Sequence, residues 1–294
     1  MSQTSKSGKT AGDQASKLPS AGGGAGPLTP PDGAPPTRSR PRIASLLSRY
    51  LPVISLIAGV VIWETVSRLG TSIVFVPFGD IAAAGLKMIE NGSLIKDLAA
   101  SGISFFAGYA SAVAIGVFVG VALGLSNILR RSFEPWLYAF YSIPIVAIAP
   151  IFIIAFGIGD LGHIVVVFTL TVFAIVVNTM AGIGTAEAQY IDVARAYNGN
   201  RLDVVRYVLL PSALPFILTG MRLGVTRALI GVVVAELFGA RAGIGYMILQ
   251  AQQRFATADM YVGVLILAAA GILSTSLLGW VERRLATWRP DHQF

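Results

Sequence analysis

Six long apolar runs constrain this sequence more than any other feature. They cover residues 51–69, 102–125, 135–158, 164–183, 215–238 and 261–281. A helix of about 20 apolar residues crosses the roughly 30 Å hydrocarbon core of a bilayer, and each run has close to that length. The runs therefore predict an all-α membrane protein with six transmembrane helices. We expect Pro144 and Pro150 to break the third, because an internal proline removes a helical hydrogen bond.

The composition agrees with a chain whose solvent is lipid over much of its length. Hydrophobic residues make up 54% and charged residues 13% of the 294 residues, and the mean hydropathy is +0.71. Soluble domains carry about 25% charged residues, because water must wet their surface. Cysteine is absent and there are two histidines, which excludes a disulfide framework or a cysteine nucleophile and argues against a histidine-built metal centre. A soluble enzyme is excluded.

The basic residues predict the orientation of the chain rather than nucleic-acid binding. The net charge is +7, from 22 Lys and Arg against 15 Asp and Glu. Cytoplasmic loops of membrane proteins carry an excess of Lys and Arg. With the N-terminus inside, the inner segments hold Arg38, Arg40, Arg42, Arg49, Arg130, Arg131, Arg195, Arg201, Arg206, Arg283, Arg284 and Arg289, and the outer ones only Arg68, Lys87, Lys96, Arg241 and Arg254. Both termini are therefore expected in the cytoplasm.

Residues 1–42 differ in kind from the membrane domain, 43–294. They hold 7 of the 15 prolines and 7 of the 32 glycines, and they offer little apolar surface to bury. This composition predicts a disordered cytoplasmic tail. Its Ser7-Gly8-Lys9-Thr10 stretch resembles the end of a Walker phosphate loop, but Gln3 replaces the leading glycine and no strand precedes it. We therefore expect no ATP hydrolysis by this chain.

Shorter features lie between and within the spans. Residues 80–89 have amphipathic spacing, and residues 239–260 form a similar segment that has several glycines at its start. Both are predicted to hold short helices outside the membrane. In the second span, Gly116, Gly120 and Gly124 recur at intervals of four. This small-residue face indicates close helix packing.

The segment of about residues 185–211, between the fourth and fifth spans, carries the most information. Residues 187–197 have the pattern of an amphipathic helix. Asn198-Gly199 is a turn signal, since both residues tolerate positive φ. A second helix is predicted over 201–210, ending before Pro211. Because this helix-turn-helix joins two spans on the cytoplasmic side, its movement would be transmitted to both.

This segment resembles the EAA loop of bacterial ABC importer permeases. In that family a Glu-Ala-Ala opening is followed by a glycine and then by a Leu-Pro pair, whose proline stands nineteen residues after the glutamate, the spacing from Asp192 to Pro211. The departures are Asp for Glu, Val for Ala, and Asn at the glycine position. The resemblance implies an ATPase-coupling loop whose residues are Asp192, Val193, Ala194, Asn198, Gly199, Leu210 and Pro211.

The resemblance extends over about residues 45–288. Within this range, several segments are similar to the nitrate/sulfonate/taurine branch of the family. It rests on residues 218–223 and 227–236, on Phe156-Gly157-Ile158-Gly159 and Gly243-Ile244-Gly245-Tyr246, and on the Trp63-Glu64 pair. It implies a type I ABC importer permease-like bundle, with residues 43–294 as a multi-pass permease domain in the bacterial inner (plasma) membrane.

The same resemblance implies the function and the partners. The chain would be the transmembrane permease subunit of an importer for a small, anionic solute of the nitrate, sulfonate or taurine kind, coupling ATPase motion to alternating access. The implied partners are a second permease copy in a homodimer, cytoplasmic ABC ATPase subunits, an extracytoplasmic solute-binding protein and the lipid bilayer. No nucleic acid and no cofactor bound by this chain is implied, since ATP is used by the partner subunit.

Two other functions compete with this one. An ion-gradient-driven secondary transporter would favour repeat-related broken helices and an ionisable site at mid-membrane, but prolines break only the third span. Gly157-Ile158-Gly159-Asp160 also spells the GxGD motif of intramembrane aspartyl proteases. That chemistry requires a second membrane aspartate, and none of the spans contains one.

Four charged residues fall within or at the ends of the spans: Glu64, Arg222, Arg227 and Glu236. A bare charge there costs at least about 2.5–3.5 kcal/mol. Either they line the translocation path or a gate, or they form ion pairs that link the helices of the bundle. Arg227 and Glu236 are nine residues apart, about half a turn out of phase, and cannot pair along one helix. These two are the candidates for the path or gate.

Overall fold

The structure, a computed structural model, describes residues 42–70 and 74–285. The predicted disordered tail, up to residue 41, lies outside the described residues. Where the chain is described, its regular elements are all helical: α1 Arg42–Leu69, α2 Phe78–Glu90, α3 Ser93–Leu125, α4 Asn127–Ser142, α5 Ile145–Phe156, α6 Asp160–Ile183, α7 Ala188–Ala196, α8 Arg201–Val204, α9 Leu210–Gly239, α10 Ile244–Gln253 and α11 Thr257–Leu285. The all-α prediction is confirmed.

The chain divides into two units, one ending at Ser55 and the other starting at Leu56. The described part of the first unit, residues 42–55, is the N-terminal half of α1. All contacts discussed below lie within the second unit.

Four stretches of the described chain are long and apolar enough to cross a membrane. They are α3, α6, the continuous helical stretch from Arg201 to Gly239, and α11. A fifth follows if α4 and α5, which are bent against each other by more than 40°, form one broken span. The break falls at Pro144, as predicted, whereas Pro150 lies inside α5. The count of six spans stays a prediction.

α6 lies between α3 and α9 and is the most deeply buried of the apolar helices. Fourteen of its residues are buried, on several faces. On the α3 side, buried small residues recur every fourth position at Ser104, Gly108, Ala112, Gly116 and Gly120. They form one stripe along α3, because residues four apart stack on one face of a helix.

The predicted glycine face of α3 is confirmed as a packing surface. A Cβ atom added to Gly120 would lie 2.5 Å from Thr179 Cβ and 2.9 Å from the Val176 carbonyl oxygen on α6. At Gly116 the nearest atom would be Ile175 Cγ2, at 2.9 Å. Between helices in lipid, packing replaces the hydrophobic effect as the source of association, so these close approaches hold the bundle together.

α6 and α9 also approach each other closely at glycines, which in this contact lie on both helices. A Cβ on Gly182 would lie 2.6 Å from Phe216 Cβ, and a Cβ on Gly220 would lie 2.8 Å from Asn178 Cβ. α6 and α9 therefore run in close contact on either side of the loop that joins them.

Both short helices predicted between spans are present, as α2 and α10, and a glutamate anchors the start of each. Glu64 accepts a hydrogen bond from the N–H of Phe78, the first residue of α2, at 2.9 Å. Glu236 accepts one from the N–H of Gly245, in the first turn of α10, at 2.7 Å. The first N–H groups of a helix have no partner within it, and a carboxylate there also complements the helix dipole.

The anchor of α10 is buried and has several members. Glu236 is 1% exposed, and its other oxygen accepts from the Ser101 hydroxyl at 2.6 Å. Gly243 has φ +133, and a Cβ there would lie 2.3 Å from Glu236 Cδ, so glycine is required. Two further bonds join α10 to α3: Gly243 N–H to Asp97 at 2.9 Å and Ile244 N–H to Ser101 at 2.8 Å.

We predict that Gly120→Ala lowers the melting temperature of the purified protein in detergent. The added methyl group meets a backbone carbonyl that cannot move aside, and overpacking of this kind destabilises by about 1–3 kcal/mol. Gly102→Ala is the matched control on the same helix, because nothing lies within 4 Å of its Cβ position. Equal melting temperatures for the two variants would contradict the packing account.

We also predict that Glu236→Ala releases the first turn of α10. The change leaves a buried N–H and a buried hydroxyl without an acceptor, at about 1–3 kcal/mol for each group. Hydrogen exchange at residues 243–246 should become faster than in the native protein. Glu134→Ala, which removes only the surface ion pair with Arg130, should leave exchange at these residues unchanged.

Candidate functional site

The candidate coupling loop begins with a short helix close to the predicted bounds. α6 ends at Ile183, and α7 runs from Ala188 to Ala196 with Glu187 at its N-cap, where a helix over 187–197 was predicted. Of the coupling residues on α7, Asp192 and Val193 are exposed and Ala194 is half-buried.

A Schellman motif closes α7 at the predicted turn. The N–H of Asn198 donates to the carbonyl of Arg195, and the N–H of Gly199 donates to the carbonyl of Ala194, both at 2.9 Å. Asn198 takes the left-handed position at φ +58. In this geometry an N–H two residues past the helix reaches back over its last turn.

Only one of the two turn residues uses positive φ, and the other is needed for a different reason. Asn198 alone is left-handed. A Cβ on Gly199 would lie 2.6 Å from the carbonyl oxygen of Ala194, so Gly199 allows the close approach of two backbone segments. Asn at the family's glycine position therefore preserves the turn.

The second helix of the loop starts at a capping box. The side chain of Asn200 accepts from the N–H groups of Leu202 and Asp203, at 2.8 and 3.0 Å, and Asp203 accepts from the N–H of Asn200 at 2.9 Å. Reciprocal bonds of this kind fix the start of a helix. The sequence signal, Asn200 followed three residues later by an acidic residue, was not used in the prediction.

The prediction that this helix ends before Pro211 is wrong. α8 continues through a π-helical turn, Val205–Leu209, directly into α9, in which Pro211 lies in the first turn. A proline in an α-helix clashes with the carbonyl four residues earlier and lacks the N–H that would bond to it. In the π turn the N–H of Leu210 reaches back to Val205. This wider turn accommodates the proline without breaking the helix.

The loop presents an apolar surface that sequence reasoning missed. Tyr190, Val193 and Tyr197 are 54%, 55% and 86% exposed, and their spacing of three and four places them on one face of α7. Leu202 and Tyr207 are exposed on the following helix. The sequence signal that could have indicated this surface is the recurrence of aromatic and apolar residues at helical spacing on the predicted helix.

A cleft separates the loop from the end of α3. Its lining includes Leu125 of α3, Arg195 of α7, Arg201 of α8 and Leu209 of the π turn. Both arginines are exposed. α7 is therefore held chiefly by its turn to α8 and by the chain to α6, with open space behind it.

Two of the four charges in the spans link helices of the bundle. Glu64 forms an ion pair with Arg68 one turn along α1 while it anchors α2. Arg222 on α9 forms an ion pair with Glu282 on α11. Both residues therefore match the interpretation of span charges as links within the bundle.

Arg227 and Glu236 do not meet, as their spacing predicted. The Arg227 Nη2 donates to the hydroxyl of Tyr141 at 2.7 Å, whereas the carboxylate of Glu236 anchors α10. Glu236 is buried and Arg227 is half-buried. A role for either residue in a translocation path or gate stays a prediction.

Comparison with known proteins identifies the family. The family described as "Binding-protein-dependent transport system inner membrane component" matches residues 112–287. The putative aliphatic sulfonates transport permease protein SsuC of Bacillus subtilis (strain 168) is 31% identical over 236 residues, covering 80% of this chain and 86% of the relative. The taurine transport system permease protein TauC of Escherichia coli (strain K12) is 32% identical over 214 residues, with coverage of 72% and 78%.

A solved structure supports the fold. It is described as "Crystal structure of an amino acid ABC transporter with histidines" and aligns with a TM-score of 0.52 at 18% identity, covering 68% of this chain and 97% of its own. The helical bundle, the loop between α6 and α9 and the family match agree. The chain belongs to the family of binding-protein-dependent transport system inner membrane components, and it is a multi-pass inner-membrane permease of an ABC importer.

Proposed function

We propose that this permease moves a small anionic solute into the cytoplasm when a separate ATPase subunit closes on the loop between α6 and α9. The observation that carries the proposal is the continuous helical stretch from Arg201 to Gly239, which joins the second helix of the loop directly to an apolar span. A displacement of α8 is then carried into the membrane along the same helical stretch.

The partners follow from the exposed surfaces of the loop and from the family. The apolar face of α7, made by Tyr190, Val193 and Tyr197, is the proposed docking site of the ATPase. The family description names a binding protein, which we place on the opposite, extracytoplasmic side. A second copy of the chain completes a path between two bundles. Both termini lie in the cytoplasm in this arrangement, as the distribution of Lys and Arg favours.

An anionic solute is supported by the names of the relatives. They include permeases described for aliphatic sulfonates, taurine and nitrate, and a bicarbonate transport permease, CmpB, of Synechococcus elongatus that is 27% identical. These solutes share an oxyanion group. The family match favours an ATP-driven importer over the ion-gradient-driven alternative.

We predict that Asn198→Val uncouples transport while the protein still inserts in the membrane. A β-branched side chain is disfavoured at positive φ, so the turn that closes α7 is lost and the docking surface moves. ATP-driven uptake, and co-purification with the ATPase subunit, should both fall. Asn198→Gly is the control, because glycine adopts the same φ freely. If Asn198→Val takes up solute at the same rate as Asn198→Gly, the proposal is contradicted.

The transport proposal itself is tested by reconstitution. The chain, its ATPase and its binding protein are placed in proteoliposomes, and uptake of labelled nitrate, ethanesulfonate and taurine is measured with and without ATP. We expect uptake of at least one of them to require ATP and to persist when ionophores collapse the proton and sodium gradients. Uptake that follows the gradient and ignores ATP would support the secondary transporter instead.

A further inference from the structure

Arg227 is the charge in the spans that the architecture of the bundle does not account for. Glu64 and Glu236 anchor α2 and α10, and Arg222 pairs with Glu282. Arg227 lies near the centre of the apolar run 215–238, about 17 Å from either end at 1.5 Å per residue. This depth is where an uncompensated cation is least favourable.

The described contacts of Arg227 orient the guanidinium without neutralising it. Its Nη2 donates to the hydroxyl of Tyr141 at 2.7 Å, and its Cζ lies 4.4 Å from the centre of the Tyr141 ring. Both contacts involve a neutral side chain. Within residues 42–70 and 74–285, no carboxylate forms an ion pair with Arg227. The positive charge is therefore held in place and left unmatched.

The surroundings of this pair are open on one side. Tyr141 lies in the last turn of α4, directly before the break at Pro144, and the next two residues, Ser142 at the end of α4 and Ile143 in the break, are exposed. Arg227 itself is half-buried. A guanidinium has five N–H donors, and one is used by Tyr141. Because the phenol oxygen accepts that bond, its own O–H remains available to donate.

We infer that Arg227 and Tyr141 form an oxyanion-binding contact in the transport path at the break between α4 and α5. The fork of N–H groups on a guanidinium matches two oxygens of a sulfonate, nitrate or carboxylate group, and the Tyr141 hydroxyl supplies a third donor. The anion neutralises the cation only while it passes. This inference rests on the proposed transport of an anionic solute and names the residues that would select it.

The absence of cysteine from the chain allows a direct test. Arg227→Cys places a single thiol at the site in the permease of the reconstituted importer. We expect uptake of ethanesulfonate and nitrate to fall about tenfold or more, which corresponds to the loss of a charged hydrogen bond. A methanethiosulfonate reagent bearing an ammonium group should restore uptake, and one bearing a sulfonate should not.

Leu223→Cys is the matched control, four residues away on the same helix, because it is an exposed position with an uncharged side chain. Its uptake should respond equally to both reagents. The inference is overturned if Arg227→Cys transports as the native chain does, if its thiol is unreactive in the assembled importer, or if both reagents restore uptake alike.

A second variant decides the matter if Arg227→Cys fails to assemble. Tyr141→Phe keeps the ring beneath the guanidinium and removes the hydroxyl, so we expect a several-fold higher KM for uptake with the rate of ATP hydrolysis unchanged; an unchanged KM overturns the inference. Native importer that takes up none of nitrate, ethanesulfonate and taurine contradicts the proposed solute class itself. Thiol reactivity at position 227, which needs no solute, then still reports whether the site faces water.

Discussion

The close approach of α6 to its two neighbours is the constraint on which the rest of this structure depends. Lipid offers no hydrophobic drive for one apolar helix to leave it for another, so association rests on packing. Small residues on α3 admit α6 at Gly116 and Gly120, and glycines on both helices bring α6 and α9 together at Gly182 and Gly220. This contact places the two ends of the loop between α6 and α9 side by side.

This packing arrangement determines how the loop is joined to its two spans. It leaves α6 at Ile183 and returns as a helix that continues to Gly239. The π turn before Pro211 allows the helix to continue past the proline. On the other side of the bundle, carboxylates on α1 and α9 hold the first turns of α2 and α10. The bundle therefore has anchored short helices on one side and, on the other, a loop whose second helix continues into a span.

The sequence predicted the elements well and their junctions less well. Apolar runs located four helices that are long and apolar enough to cross a membrane, and a regular spacing of glycines located the α3 face, because both patterns follow directly from helix geometry. Pro211 misled the prediction, since the rule for proline assumes α-helical bonding and a π turn relaxes it. The partner of Glu236 could not be foreseen, because Ser101 lies 135 residues away and only tertiary packing brings them together.

The candidate site was predicted in part, and for an instructive reason. The turn at Asn198 follows from local chemistry, and the structure places it as the spacing implied. The tyrosines of α7 are not among the coupling positions that the family resemblance implies, so the prediction did not include them. The phase of Arg227 against Glu236 predicted that the two do not pair along one helix, but Tyr141 on another helix could not be inferred from spacing.

The central claim is that the loop and α9 move as one rigid body, and spin labels test it most directly. Gln189→Cys on α7 and Leu237→Cys at the far end of α9 are both exposed positions, and each gives a single distance between two copies in the assembled importer. On ATP binding, the account predicts that both distances change together. A change at position 189 with none at position 237 would contradict it, because the helix would then bend or slip between loop and span.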